Sequence, residues 1–236
     1  MTGLILAAGD GKRLFPDTAA AGCKPLLFVN GKRLLSYSLD NLARLGIKKA
    51  VIVVGRYADE IKETYGNTYG DIELEYARQS SPIGAVNAIV SAKDKIDEDI
   101  ILQLSDEIFT GFRVTKEELS GCPDFLVGYV KETDRERIKG NFSIDLSECG
   151  KILRCTEKPE TVTNDLKGTG FCFFSRSAVK ALFDNYNEAG NRPADLCGFI
   201  HLLIDSGFEG RILNVAEREF NINTPSDLAY AKESLG

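Results

Sequence analysis

Leu4-Ile5-Leu6-Ala7-Ala8-Gly9-Asp10-Gly11-Lys12-Arg13 is the stretch from which the rest of the chain can be read. Five apolar residues in a row, without polar alternation, suit a strand buried on both faces, and Gly9 and Gly11 then break it. Runs of the same kind return at Ala50-Val51-Ile52-Val53-Val54 and at Ile100-Ile101-Leu102-Gln103-Leu104. Helical patterns lie between them. Leu35, Leu39, Leu42 and Leu45 recur at helical spacing until Gly46 stops them. Residues 58–65 and 84–92 also read as helices, and 72–76 as a strand. Repeated β-α-β of this kind predicts an α/β fold: a doubly wound sheet with short right-handed crossovers.

Further along the chain the pattern changes. Residues 125–130, 141–146, 151–156 and 170–174 are strand-like without regularly intervening helices, and helical patterns return at 176–183, 195–204 and 226–235. There is no proline-rich or Ser/Gly linker, no tandem repeat and no low-complexity tract. The chain therefore reads as one domain over 1–236. A nucleotide-type half covers about residues 1–110 and an inserted mixed half about 111–220, with ligands expected in the cleft between them.

Composition narrows the function classes. A length of 236 residues with 43% hydrophobic content is enough to bury a large core, and 27% charged residues with a net charge of −6 exclude a disordered or collagenous chain. An acidic chain lacks the footprint of a nucleic-acid binder, though not of one that holds a small polyanion in a local basic cluster. His201 is the only histidine, which excludes multi-His metal sites and disfavours a His-dependent triad. It falls in the apolar run Phe199-Ile200-His201-Leu202-Leu203-Ile204 and reads as a packed histidine. The six cysteines form no C-x-x-C pair and read as free thiols of a cytoplasmic protein. No run approaches the roughly 18–20 apolar residues of a membrane span, so no membrane partner is expected.

The glycine turn carries the first chemical signal. Gly9 and Gly11 let backbone N–H groups approach phosphate oxygens, and Arg13 and Lys24 can neutralise a triphosphate. Within residues 1–33 five basic side chains stand against two acidic ones, although the whole chain is acidic. The pattern is neither a P-loop, which needs G-K-[ST], nor the G-x-G-x-x-G dinucleotide fingerprint.

Together with Lys24-Pro25, the stretch Leu6-Ala7-Ala8-Gly9-x-Gly11-x-Arg13 resembles the signature of the sugar-phosphate nucleotidylyltransferases. Five further segments resemble that family in order. Gln79-Ser80-Ser81-Pro82-Ile83-Gly84 is similar to Q-x-x-P-x-G, Ser105-Asp106-Glu107-Ile108-Phe109 to G-D-N-x-F, and Glu157-Lys158-Pro159 to E-K-P. Gly170-Phe171-Cys172-Phe173 is similar to G-x-Y-x-F, and Asn221-Ile222-Asn223-Thr224-Pro225-x-Asp227-Leu228 to the closing D-I-G-T-P-x-D-L.

The resemblance implies a Rossmann-like nucleotidyltransferase fold, a mixed but mainly parallel sheet. It implies a Mg2+-dependent enzyme that joins an NTP, pyrimidine favoured, to a sugar 1-phosphate and releases pyrophosphate. Arg13, Lys24, Asp106 and Lys158 become the catalytic candidates. Leu6, Ala7, Ala8, Gly9, Gly11, Gln79, Pro82 and Gly84 would bind the nucleotide, and the Gln79 amide oxygen would accept from a pyrimidine N3–H. Glu107, Gly140, Glu157, Lys158 and Gly170 would face the acceptor, with Glu157 taking sugar hydroxyls. Asp106 and Asn221 would hold the metal, which needs few protein ligands.

Departures from the motifs keep two alternatives open. Asn221 stands where the family has aspartate, and Ser105 and Glu107 flank Asp106 where it has glycine and asparagine. Glu107 near the site suggests a cationic acceptor: a CTP-dependent cytidylyltransferase acting on phosphocholine, an aminoalkyl phosphonate or an inositol phosphate. Loss of the closing aspartate suggests a catalytically silent nucleotide-binding regulatory subunit. Oligomeric state is not written in the sequence, because apolar helix faces pack within and between subunits alike.

Overall fold

The computed structural model describes residues 1–14, 22–81, 83–121, 123–186 and 193–236. Its first strands are β1 (Thr2–Ala7), β2 (Phe28–Val29), β3 (Lys32–Arg33), β4 (Lys49–Val54), β5 (Thr68–Tyr69), β6 (Ile72–Arg78) and β7 (Ile100–Leu104). There follow β8 (Glu107–Thr110), β9 (Phe125–Lys131), β10 (Phe142–Leu146), β11 (Ile152–Glu157), β12 (Leu166–Phe174), β13 (Gly210–Asn214) and β14 (Arg218–Asn221). The helices are α1 (Leu34–Arg44), α2 (Ala58–Tyr65), α3 (Ala85–Val90), α4 (Lys116–Ser120), α5 (Arg135–Lys139), α6 (Arg176–Asn185), α7 (Leu196–Asp205) and α8 (Pro225–Leu235).

β1 runs parallel to both β4 and β7, so that Leu4 stands opposite Val51 and Leu102. Side-chain alternation then sorts the apolar residues to two faces. Leu4, Val51 and Leu102 pack with Val86, Ala178 and Phe199 of α3, α6 and α7. Ile5, Ile52 and Ile101 pack with Leu35, Leu39 and Ile61 of α1 and α2. Helices thus cover both sides of the sheet, which is why its strands carry no polar face. Each fully buried Leu or Ile contributes about 1.5–3 kcal/mol to this arrangement.

The ten-stranded sheet has the order β11-β10-β12-β7-β1-β4-β6-β5, with β9 beside β12 and β13 beside β9. β7, β1, β4 and β6 form the parallel block expected from the first half. β12 joins it antiparallel, with Cys172 opposite Leu102, and brings in the strands of the second half. The sheet is therefore mixed, with a parallel centre.

Local chemistry explains where the elements differ from expectation. α3 begins only at Ala85, because Gly84 has φ +113, outside the helical region. β12 starts at Leu166, four residues before the apolar run, since its buried Lys167-Gly168-Thr169 gives no hydrophobic signal. β8, β13 and β14 were not foreseen. β14 pairs antiparallel with β8, Asn221 opposite Glu107, and just beyond it the Ile222 amide donates to the Asp106 carbonyl at 2.9 Å. A third core of Leu14, Leu27, Ile108, Phe220, Ile222 and Leu228 fixes this closing segment to the start of the chain. Among the described residues no helix is long and apolar enough to cross a membrane.

Candidate active site

β1, β6 and β7 are parallel, so their C-terminal ends share one edge of the sheet, where ligands of open α/β sheets bind. Ala8 to Gly11 follow β1, Gln79 follows β6, and Ser105-Asp106 follow β7. These segments wall a cavity of about 520 Å³ that also includes Leu6, Arg13, Lys24, Gly84 and Asn223. A second cavity of about 610 Å³ adjoins it, lined by Gly140, Glu157, Lys158, Asn221 and others. Arg13, Asp106 and Asn223 stand on the walls of both.

The glycine turn is open to the first cavity. A Cβ on Gly9 would meet nothing within 4 Å, and Gly11 has φ +64, the left-handed conformation that favours glycine. Gly84 is required sterically: besides its φ of +113, a Cβ there would lie 2.1 Å from the Ala194 carbonyl oxygen.

At the junction of the cavities the polar side chains form one knot. Lys24, buried in a short 3-10 turn, donates from Nζ to Asp106 Oδ2 at 2.5 Å and to Asn223 Oδ1 at 3.0 Å. Arg13 Nη2 donates to the same Asn223 oxygen at 3.1 Å. Asn223 Nδ2 in turn donates to Asn221 Oδ1 at 2.6 Å. Two cations, one carboxylate and two amides therefore converge where the cavities meet, a centre suited to phosphate oxygens.

Gln79 is also held by its amide nitrogen. Nε2 donates to the Gly84 carbonyl at 3.1 Å and to Asn87 Oδ1 at 3.0 Å, which leaves Oε1 as the acceptor of the pair. Asn87 is fixed from behind by Nδ2, which donates to the Tyr186 hydroxyl at 2.9 Å.

In the second cavity, Lys158 has φ +45, uncommon for a lysine, and its amide donates to the Asn141 carbonyl at 2.7 Å. Beside it, burial first and the Asp195 charge second raise the Glu157 carboxyl above its ordinary value. Arg137 lies 4.1 Å from the Tyr230 ring centroid on the same wall. Lys167, buried in β12, forms ion pairs with Glu219 Oε2 at 2.5 Å and with Glu132 Oε2 at 3.9 Å.

Several expected residues stand elsewhere. Ala7 points into the opposite core with Ile52 and Val54, because β1 alternates and Leu6 takes the cavity side. Glu107 stands on the wall of neither cavity. It follows Asp106 in the chain, turns inward, is 1% exposed and accepts the Gly170 amide on both oxygens at 2.9 and 2.8 Å. Burial, with the Glu219 charge added, raises its carboxyl well above the usual carboxylate range. Gly170 likewise stands on neither wall: its N–H donates to Glu107, and a Cβ would strike Leu104 Cγ at 2.2 Å. The Asn221 oxygen is not free, since it accepts from Asn223. Pro82 lies outside the described residues. His201 is a packed side chain, its Nε2 accepting from the Cys155 amide at 3.2 Å.

Asn223 was the principal omission. Its only sequence signal was a side chain where the closing motif has glycine. Arg137, Asp195, Lys167 and Glu219 carried no motif signal, and topology alone brings them to the second cavity.

A family model described as Nucleotidyl transferase matches residues 2–209. The chain is 31% identical over 240 residues to the UTP–glucose-1-phosphate uridylyltransferase AglF of Haloferax volcanii, covering 100% of this chain and 96% of that protein. It is 28% identical over 218 residues to a glucose-1-phosphate thymidylyltransferase of Streptomyces antibioticus, covering 88% of this chain but only 58% of that longer protein. A Bacillus anthracis structure described as a glucose-1-phosphate thymidylyltransferase in complex with a sucrose shares the fold. Its TM-score is 0.86 at 19% identity, over 99% of this chain and 95% of that one. A match running through nearly the whole sheet, with a relative similar from end to end, assigns the chain: it belongs to the nucleotidyl transferase family, a family of enzymes.

Proposed function

We propose that the enzyme joins a pyrimidine NTP to a sugar 1-phosphate, giving an NDP-sugar and pyrophosphate. The observation that carries this reading is the convergence of Arg13, Lys24 and Asp106 at the junction of two cavities, each large enough for one substrate. The first cavity, built from the 1–110 half with Asn223, takes the nucleotide; the second, drawn mainly from residues 111–220 and the closing segment, takes the acceptor. A phosphate oxygen of the acceptor attacks the α-phosphorus in line, the bond to the β-phosphate bridging oxygen breaks, and pyrophosphate leaves. An acceptor phosphate is already anionic, so no strong general base is needed.

The work of the protein is to bring two polyanions together. Arg13 and the amides of Gly9 and Gly11 stabilise the leaving pyrophosphate. Lys24 holds the α-phosphate and Lys158 the attacking phosphate. Glu157 accepts hydrogen bonds from sugar hydroxyls, with Gly140 on the same wall. The Gln79 oxygen, oriented through its own Nε2, accepts from the N3–H of uracil or thymine. Alignment of well-oriented reactants supplies roughly 7–11 kcal/mol of the barrier reduction.

The donor set fits Mg2+. Asp106 keeps Oδ1 outside its lysine contact, and the Asn221 amide oxygen, although it accepts from Asn223, retains a second lone pair. That suits an ion that takes few protein ligands and many water or phosphate oxygens. When bound, it neutralises phosphate charge. A cytoplasmic location, where NTPs are abundant, follows from this reaction.

Glu107 gives no support to the cationic-acceptor reading, because it is buried under Gly170. The direct test is pyrophosphate release with Arg13→Ala and Asp106→Ala. Each should fall by about 10²–10³-fold with the fold intact. Near-normal turnover in either variant refutes the assignment.

A further inference from the structure

The side chain at 223 ties the cleft together. Asn223 stands on the wall of both cavities, and its single oxygen receives Lys24 Nζ at 3.0 Å and Arg13 Nη2 at 3.1 Å. Its backbone is anchored: the Asn223 amide donates to Asp227 Oδ2 at 2.9 Å, and Asp227 closes the capping box of α8 with Thr224. The oxygen is therefore fixed to the start of a helix whose Leu228 and Ala231 belong to the third core.

We propose that Asn223 is the positioning residue of the reaction, holding Arg13 and Lys24 at one point between the two substrates by means of a neutral oxygen. Neutrality is the essential property. Two cations brought to one place repel, so an acceptor must hold them there. A carboxylate would do so but would cancel charge that the phosphates need. An amide oxygen orders both donors and leaves their charge available. It also gives Lys24 a second, weaker partner beside Asp106, so that the lysine is not committed to the carboxylate alone. The inference rests on the phosphoryl-transfer reading above.

The test compares the unaltered enzyme with Asn223→Gly and Asn223→Asp, each verified by thermal melting. UTP, dTTP and CTP are offered in turn with glucose 1-phosphate and magnesium, and pyrophosphate release gives kcat and both KM values. Asn223→Gly removes the shared acceptor, and kcat should fall about 10–100-fold while the nucleotide KM changes little. Asn223→Asp keeps an acceptor but adds negative charge where phosphates meet. It should raise both KM values about tenfold, and added salt should shrink that rise. A purely structural asparagine would lower the melting temperature without a salt-dependent KM. Folded variants with kcat and KM within about twofold of the unaltered enzyme overturn the role, as does an Asp variant that behaves like Gly at every salt concentration. If the unaltered enzyme itself releases no pyrophosphate from any pair, the reaction reading fails and this role falls with it.

Discussion

Lys24 Nζ and Asp106 Oδ2 lie 2.5 Å apart, with side chains only 10% and 23% exposed. The cation proposed for the α-phosphate and the carboxylate proposed for the metal thus neutralise one another in the free protein. Removing one partner strands the other in a poorly hydrated place. Lys24→Met should lower stability by about 1–3 kcal/mol and abolish most turnover. The double variant Lys24→Met/Asp106→Asn should regain part of that stability and none of the activity, as read by thermal unfolding and pyrophosphate release.

Gln79 tests the base. Because Nε2 is occupied by Gly84 and Asn87, the orientation of the amide on the wall of the first cavity is defined. Gln79→Ala should raise the nucleotide KM by about tenfold, the worth of one hydrogen bond, and flatten the preference among the four nucleotides. An unchanged preference would remove Gln79 from base recognition.

Glu157 gives the acceptor side a pH dependence. Its carboxyl is raised by burial and then by Asp195, so the protonated form persists to higher pH than in an ordinary glutamate. Ionised, both oxygens accept and do so more strongly; protonated, one of them becomes a donor. The acceptor KM should therefore rise as pH falls through this raised value, with the nucleotide KM less affected. Glu157→Gln should give a higher acceptor KM that no longer varies in that range; a wild-type profile equally flat would contradict the role.

Glu107 gives the fold a pH dependence of the opposite kind. Its folded value lies well above the unfolded one, so the folded state holds the proton where the unfolded state has lost it. Stability contributed in this way is present at lower pH and is lost as pH rises through the folded value. Glu107→Gln, which keeps an oxygen for the Gly170 amide, should flatten that decline and be as stable as the parent, or more so, at alkaline pH. Melting temperatures from about pH 5 to about pH 9 read this directly.

The parallel core was plainly legible. Leu4–Ala8, Ala50–Val54 and Ile100–Leu104 are almost wholly apolar runs because both faces of those strands are covered, and their shortness and β-branched content mark them as strands. The ends of the first and last of those strands were legible too, since Gly9 and Asp106 answer to local geometry and chemistry. What could not be read was direction. Ala7 and Glu107 sit beside cavity residues in sequence but on the other side of the backbone, and a motif does not say which way each side chain turns. Asn223 was hidden for another reason: its partners, Arg13 and Lys24, are some two hundred residues away, and the short β14–β8 pairing and the third core bring them together.

Lys167 carries one last consequence. Its nearest anion, Glu219 on β14, lies past residue 209, where the family match stops, as do Asn221, Asn223 and the helix that anchors them. Trimming the polypeptide to the matched span would leave the buried ammonium in β12 with only the more distant Glu132 Oε2, at 3.9 Å, as a counter-ion. It would also remove the floor on which Arg13 and Lys24 meet. The last twenty-seven residues are thus a keystone rather than a tail, and the smallest unit that can work includes them.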